Sequence, residues 1–168
     1  MKIAFFSHTL AALVLVTVFS AAGSAHAADA TGNASATIAT PISVSENTSL
    51  SFGTVLAGAS QSTIVVSTAG GRTLGSGDAT LFGGTPAAAV FDVTGEGSAS
   101  YSVSFTAGTL TRDGGSETMT VDTFTNDSGG SIGGGGSDSF NVGATLTVAA
   151  NQVAGSYTGT YTVSVDYQ

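Results

Sequence analysis

The chain has 168 residues, no cysteine and a formal net charge of −8. The missing thiols exclude a disulfide-stapled fold and a thiolate metal site. The acid excess argues against nucleic acid and anionic membrane surfaces as partners.

Lys2 makes a short positive start, Leu10 to Phe19 is an apolar run without charge, and Ala25–His26–Ala27 places small residues at a cut. Residues 1–27 are therefore expected to be a cleaved secretory signal. The run is shorter than the ~20 residues of a spanning helix. Export through the inner membrane to the periplasm, then the cell surface or medium, is the expected route. Without cysteine the product is not a lipoprotein. Residues 28–168 are the size of one domain. Cleavage removes His8, His26 and Lys2 and leaves Arg72 and Arg112 against eleven carboxylates, a net charge of −9 (2 − 11).

The rest is rich in Thr, Ser, Val, Ala and Gly, and its apolar residues recur with period two rather than 3.6. In residues 34–45, Ala34, Ala36, Ile38, Thr40, Ile42 and Val44 share one face, with Pro41 on the other. Strands are predicted at 49–55, with Leu50 and Phe52 in phase, at 62–67 and at 88–93. In 100–106, Tyr101, Val103 and Phe105 alternate with serines. In 117–124, Met119 and Val121 align and Phe124 falls out of phase, as a bulge allows. Phe140, Val142, Ala144, Leu146 and Val148 form the next row, and Tyr157, Gly159, Tyr161, Val163, Val165 and Tyr167 the last. Turns are expected at 69–78, 94–98 and 112–116, and a long mobile glycine-rich loop at 128–137. About seven or eight such strands predict a single immunoglobulin-like antiparallel β-sandwich.

Chemistry finds little support. Gly129–Gly133 fits G-x-S-x-G, but the exported chain has no histidine or lysine to activate Ser131, and no strand or helix pattern flanks it. Eight carboxylates, Asp78, Asp92, Glu96, Asp113, Glu117, Asp122, Asp127 and Asp138, mostly sit beside glycine or serine, where they support turns. No catalytic residue, cofactor-binding residue or metal ligand is assigned, and no enzyme is expected. Calcium is the one ion left open, through Asp78 in GSGDATL or through Asn126, Asp127 and Asp138. Phe82, the one loop aromatic, is expected to cover the core.

The last strand has a penultimate tyrosine, Tyr167, alternating apolar residues, and Gly155 as the fourteenth residue from the end. This resembles the C-terminal strand of chaperone–usher pilus subunits. The resemblance implies an acceptor edge formed by Gly155, Tyr157, Tyr161, Val163, Val165 and Tyr167, bordered by a strand from a neighbouring subunit. It implies a periplasmic chaperone as a further partner. Ala34, Ala36, Ile38, Ile42 and Val44 then form the donor face, unless 34–45 is simply the domain's own first edge strand. Over nearly its whole exported length the chain also resembles a family of secreted bacterial β-sandwich proteins described only as a domain of unknown function. The features carrying that likeness are A-x-I-x-x-P-I at Ala36–Ile42, L-x-F-G at Leu50–Gly53, and the alternating tyrosines of Gly155–Tyr167. A non-enzymatic structural or adhesive envelope subunit is expected. The alternative is a monomeric module binding carbohydrate or calcium.

Overall fold

The computed structural model describes residues 26–168, so the expected signal lies almost wholly outside the described residues. The chain divides into residues up to Ala36 and a domain spanning Thr37–Gln168. Of the first unit, residues 26–36 are exposed and carry neither helix nor strand.

The domain is all-β, with ten strands among the described residues: β1 (Ser43–Thr48), β2 (Thr54–Leu56), β3 (Ser62–Val66), β4 (Arg72–Ser76), β5 (Thr80–Gly83), β6 (Ala89–Thr94), β7 (Tyr101–Arg112), β8 (Thr118–Asn126), β9 (Ser137–Val148) and β10 (Tyr157–Tyr167). All pairings are antiparallel. One sheet runs β1-β6-β9-β8-β7-β10, with β3 and β4 joined to it through β9, and β2 and β5 form a separate pair. The sheet curls until its two ends, β1 and β10, touch. This closes a sandwich-like core, yet no hydrogen-bonded ladder joins those two strands among the described residues.

The strand β9 organises the interior. Its first half pairs with β6 and its second half with β3, while β8 runs along its other side. The handover falls at Gly143, where a Cβ would strike the Val66 carbonyl oxygen. Phe140 and Val142 therefore enter one buried cluster, with Phe91, Val93, Tyr101 and Ile132. Ala144, Leu146 and Val148 enter another, with Phe52, Ile64, Val66 and Val121. A period-two row buries on one face because successive Cβ atoms leave a strand on opposite sides.

The bulge expected before Phe124 is present: the β8–β9 register shifts between Asp122 and Thr125, and Thr123 has φ 49°. A second irregularity separates Thr160 from Thr162 in the β7–β10 ladder. Two residues of β7, Ala107 and Gly108, there stand opposite Tyr161, and the inward phase of β7 moves from Tyr101, Val103 and Phe105 to Gly108 and Leu110.

Four local expectations change. Residues 49–53 form no strand beyond an isolated Ser51–Ala87 bridge, although Leu50 and Phe52 do face the core. The turn at 69–78 contains β4, whose Ser76 and Leu74 pair with Thr63 and Ile64. Phe82 lies in β5 and is 74% exposed, because Leu81 takes the inward position. The glycine-rich 128–137 segment is held in place. Ile132 is 1% exposed, its amide donates to the Ala99 carbonyl, and its carbonyl accepts from the Ser98 amide.

Candidate functional site

The two ends of the path β1-β6-β9-β8-β7-β10 are unequal. Edge strands expose unpaired backbone groups, and proteins usually blunt them with charge, proline, bulges or shortness. Here β1 is short, carries Glu46 and has a register irregularity between Glu46 and Thr48. By contrast β10 runs eleven residues, has no proline, and carries no charge before Asp166. Its inner side pairs with β7, and its outer side pairs with nothing among the described residues.

Beside the first half of β10 lies a cleft of about 740 Å³. One wall is the segment 50–57, with Leu50, Phe52 and Val55, and the other is Tyr157, Gly159 and Tyr161. Leu110, Met119 and Leu146 form part of its floor, and no charged residue lines it. The second half of β10 is covered in cis. Ile42 and Val44 pack on the same cluster as Val163 and Val165.

A polar latch closes that covered end. The Tyr167 hydroxyl donates to the Thr40 carbonyl (2.7 Å) and accepts from the Glu96 amide (2.6 Å). The Glu96 carboxylate accepts from the Thr40 amide (2.9 Å), and that bond holds its pKa below the ordinary carboxylate value. Gly95 makes room, since a Cβ there would strike the Tyr167 hydroxyl.

The expected acceptor residues therefore separate by role. Gly155 precedes β10 and lines the cleft with Tyr157 and Tyr161. The Tyr157 hydroxyl is satisfied by Gln152 (2.8 Å) and the Val153 carbonyl (2.7 Å). Val163 and Val165 are half-buried and pack against the core, while Tyr167 is 37% exposed and works through its hydroxyl. The expected donor row divides at Thr40. Ile42 and Val44 pack into the domain, with Val44 of β1 paired to Val93 of β6. Ala34, Ala36 and Ile38 lie in no strand and are exposed, Ile38 to 96%. The opposite wall of the cleft and the Thr40–Glu96 contact are not visible in the sequence. A glutamate in the glycine-flanked TGEGS turn, Thr94–Ser98, is the only hint of the latter.

Both calcium candidates have their carboxylates engaged by protein donors. Asp78 accepts from the Ala59 and Ser60 amides, both at 3.0 Å. Asp127 accepts from the amide and side chain of Asn141, which lowers its pKa, and Asp138 accepts from Tyr101. Among the described residues no three His, Asp or Glu side chains gather as a metal centre would need.

Gly159 sets the shape of the cleft wall. A Cβ there would drive into the Thr109 carbonyl oxygen, a backbone atom that cannot swing aside. Gly159→Ala is expected to cost about 1–3 kcal/mol, the usual penalty of overfilling a packed site. The readout is a lower urea midpoint at unchanged slope; a wild-type midpoint would refute the close approach.

No curated protein and no solved structure matches the chain. A family model described as a domain of unknown function, DUF4402, matches residues 42–167. The matched span begins where the chain joins the core at Ile42 and runs through the latch residue Tyr167. This chain belongs to the DUF4402 family.

Proposed function

We propose that the protein is a non-enzymatic exported subunit of the bacterial cell envelope that assembles by strand exchange. The acceptor is the Tyr157–Tyr161 half of β10, and the donor is residues 30–39 of a second copy. The observation that carries this reading is the long outer edge of β10, uncharged before Asp166, beside a cleft that no charged residue lines and that has Leu110, Met119 and Leu146 in its lining. An added strand would pair the edge backbone and cover the cleft floor together, as in β-strand addition. The supply side is the alternating Ala34, Ala36 and Ile38, which pair with nothing as a strand. Donor and acceptor lie on different parts of one chain, so the contact is head-to-tail and propagates.

The test is the mass of purified residues 28–168 by light scattering, with an unboiled gel alongside. A multimer ladder that vanishes on deleting residues 28–39, which spares Thr40, is the expected result. A clean monomer of the undeleted protein at every concentration would sink the reading.

A second reading, a monomeric binding module, is favoured by Phe82 (74% exposed) and Leu56 (60% exposed) on the small β2–β5 sheet. Exposed aromatics serve as binding platforms. Carbohydrate would be the ligand class, and a glycan that raises the melting temperature of the monomer would favour this reading.

A further inference from the structure

The described residues hold two arginines and no lysine, against eleven carboxylates. Arg112 pairs with Glu117 at 2.6 Å, the one ion pair among the described residues. Arg72 is half-buried and meets no carboxylate there. A cation drawn out of water costs stability unless other groups compensate. In β4 Arg72 stands opposite Val66, which is fully buried, so its side chain starts toward the interior. Its Nη1 donates to two backbone carbonyls, those of Phe52 (2.6 Å) and Thr54 (3.1 Å). Hydrogen bonds from a charged donor are about twice as strong as neutral ones. Both carbonyls belong to the 50–57 wall of the cleft. That wall is not part of the main sheet. Ser51 exchanges backbone bonds with Ala87 (2.9 and 3.0 Å), and pairing with β5 resumes only at Thr54. Between those points the guanidinium supplies donors that a neighbouring strand would otherwise supply. Gly53 leaves room for it: its φ is 65°, and a Cβ there would strike Nη1 and the Gly83 carbonyl oxygen. In the L-x-F-G motif, Leu50 and Phe52 face the core, and Gly53 turns the backbone onto Arg72.

We propose that Arg72 is a positioning residue of the acceptor: by clipping the Phe52 and Thr54 carbonyls, it fixes the wall against which the incoming strand packs. Arg72 itself does not line the cleft, so it acts through the wall alone. With those two carbonyls occupied, the wall offers the strand the side chains of Leu50, Phe52 and Val55, and backbone pairing falls to the β10 side. The inference rests on the strand-exchange reading and adds the residue that shapes its acceptor. The occupant is residues 30–39 of a second copy. That segment is free of charge, as is the cleft lining, so two acidic chains can meet there without bringing like charges together. Ten extended residues reach about 33 Å at ~3.3 Å each, against about 20 Å for the stretch from Gly155 to Tyr161 on the same scale.

The experiment uses the exported chain carrying Ile38→Asp, which cannot donate its own segment, as the parent acceptor. A labelled peptide of residues 30–41 is titrated by fluorescence anisotropy into the parent and into the same chain with Arg72→Met or Arg72→Lys. Urea midpoints of all three are recorded, and binding is measured where each is fully folded. Methionine keeps an apolar stem but donates nothing, whereas a lysine ammonium can donate to both carbonyls. The expected result is peptide affinity about tenfold weaker in Arg72→Met, roughly one hydrogen bond, with most of the loss regained in Arg72→Lys. A lower midpoint with unchanged affinity in Arg72→Met would make Arg72 a stabilising residue only and overturn the clip, leaving strand exchange standing. Equal weakening in Arg72→Met and Arg72→Lys would overturn it too. Failure of the parent to bind would remove strand exchange and the clip together.

Discussion

Ile38→Asp is expected to abolish multimers while leaving the domain's own stability within about 0.5 kcal/mol of wild type, as for other surface changes. Ile38 is 96% exposed, so within its own chain the substitution removes almost no buried contact. In a neighbour's cleft the same side chain would be covered, a gain of about 1.5–3 kcal/mol for a residue of this size. A carboxylate in a cleft lined by no charged residue would lose that gain and add an unpaired buried charge. Both effects act only in the assembly. Thr37→Asp is the control, because residue 37 falls on the opposite face of an extended segment and its charge would stay in water. Light scattering and an unboiled gel on both variants decide the matter. Multimers of Ile38→Asp would sink the donor assignment.

Ile132→Ala is expected to cost about 2–5 kcal/mol, the range for truncating a buried aliphatic side chain. Loss on this scale is a large fraction of the 5–15 kcal/mol that holds a domain together. Ile132 is 1% exposed and packs with Phe91, Val93, Tyr101 and Phe140. Around it several backbone groups are paired: Gly130 accepts from Tyr101, Gly133 donates to Ser137 and accepts from Gly136, and Gly136 accepts from Gly95. The segment is therefore anchored to the core through Ile132, while most of its glycines stay exposed. Urea unfolding measures the loss, and limited proteolysis should show 128–137 resistant in wild type and cleaved in the variant. A wild-type midpoint would mean that Ile132 anchors nothing.

Period-two rows in the sequence determined which residues face inward. Phe140 to Val148 and Tyr157 to Val165 follow their predicted faces closely, and the bulge before Phe124 was legible because one residue broke phase. These are local properties, fixed by the alternation of Cβ directions along a strand. Pairing is a different matter, since it depends on contacts between residues far apart in the chain. Only the tertiary structure decided that β10 ends the sheet, that the row from Ala34 to Val44 divides at Thr40, and that β4 lies inside an apparent turn. It also decided that Phe82 faces water and that Tyr167 latches Thr40 and Glu96 instead of filling the core. The glycine-rich segment shows the reason most plainly. Glycine carries no side-chain signal of burial, so one buried isoleucine and a set of long-range backbone bonds hold a stretch whose composition reads as loop.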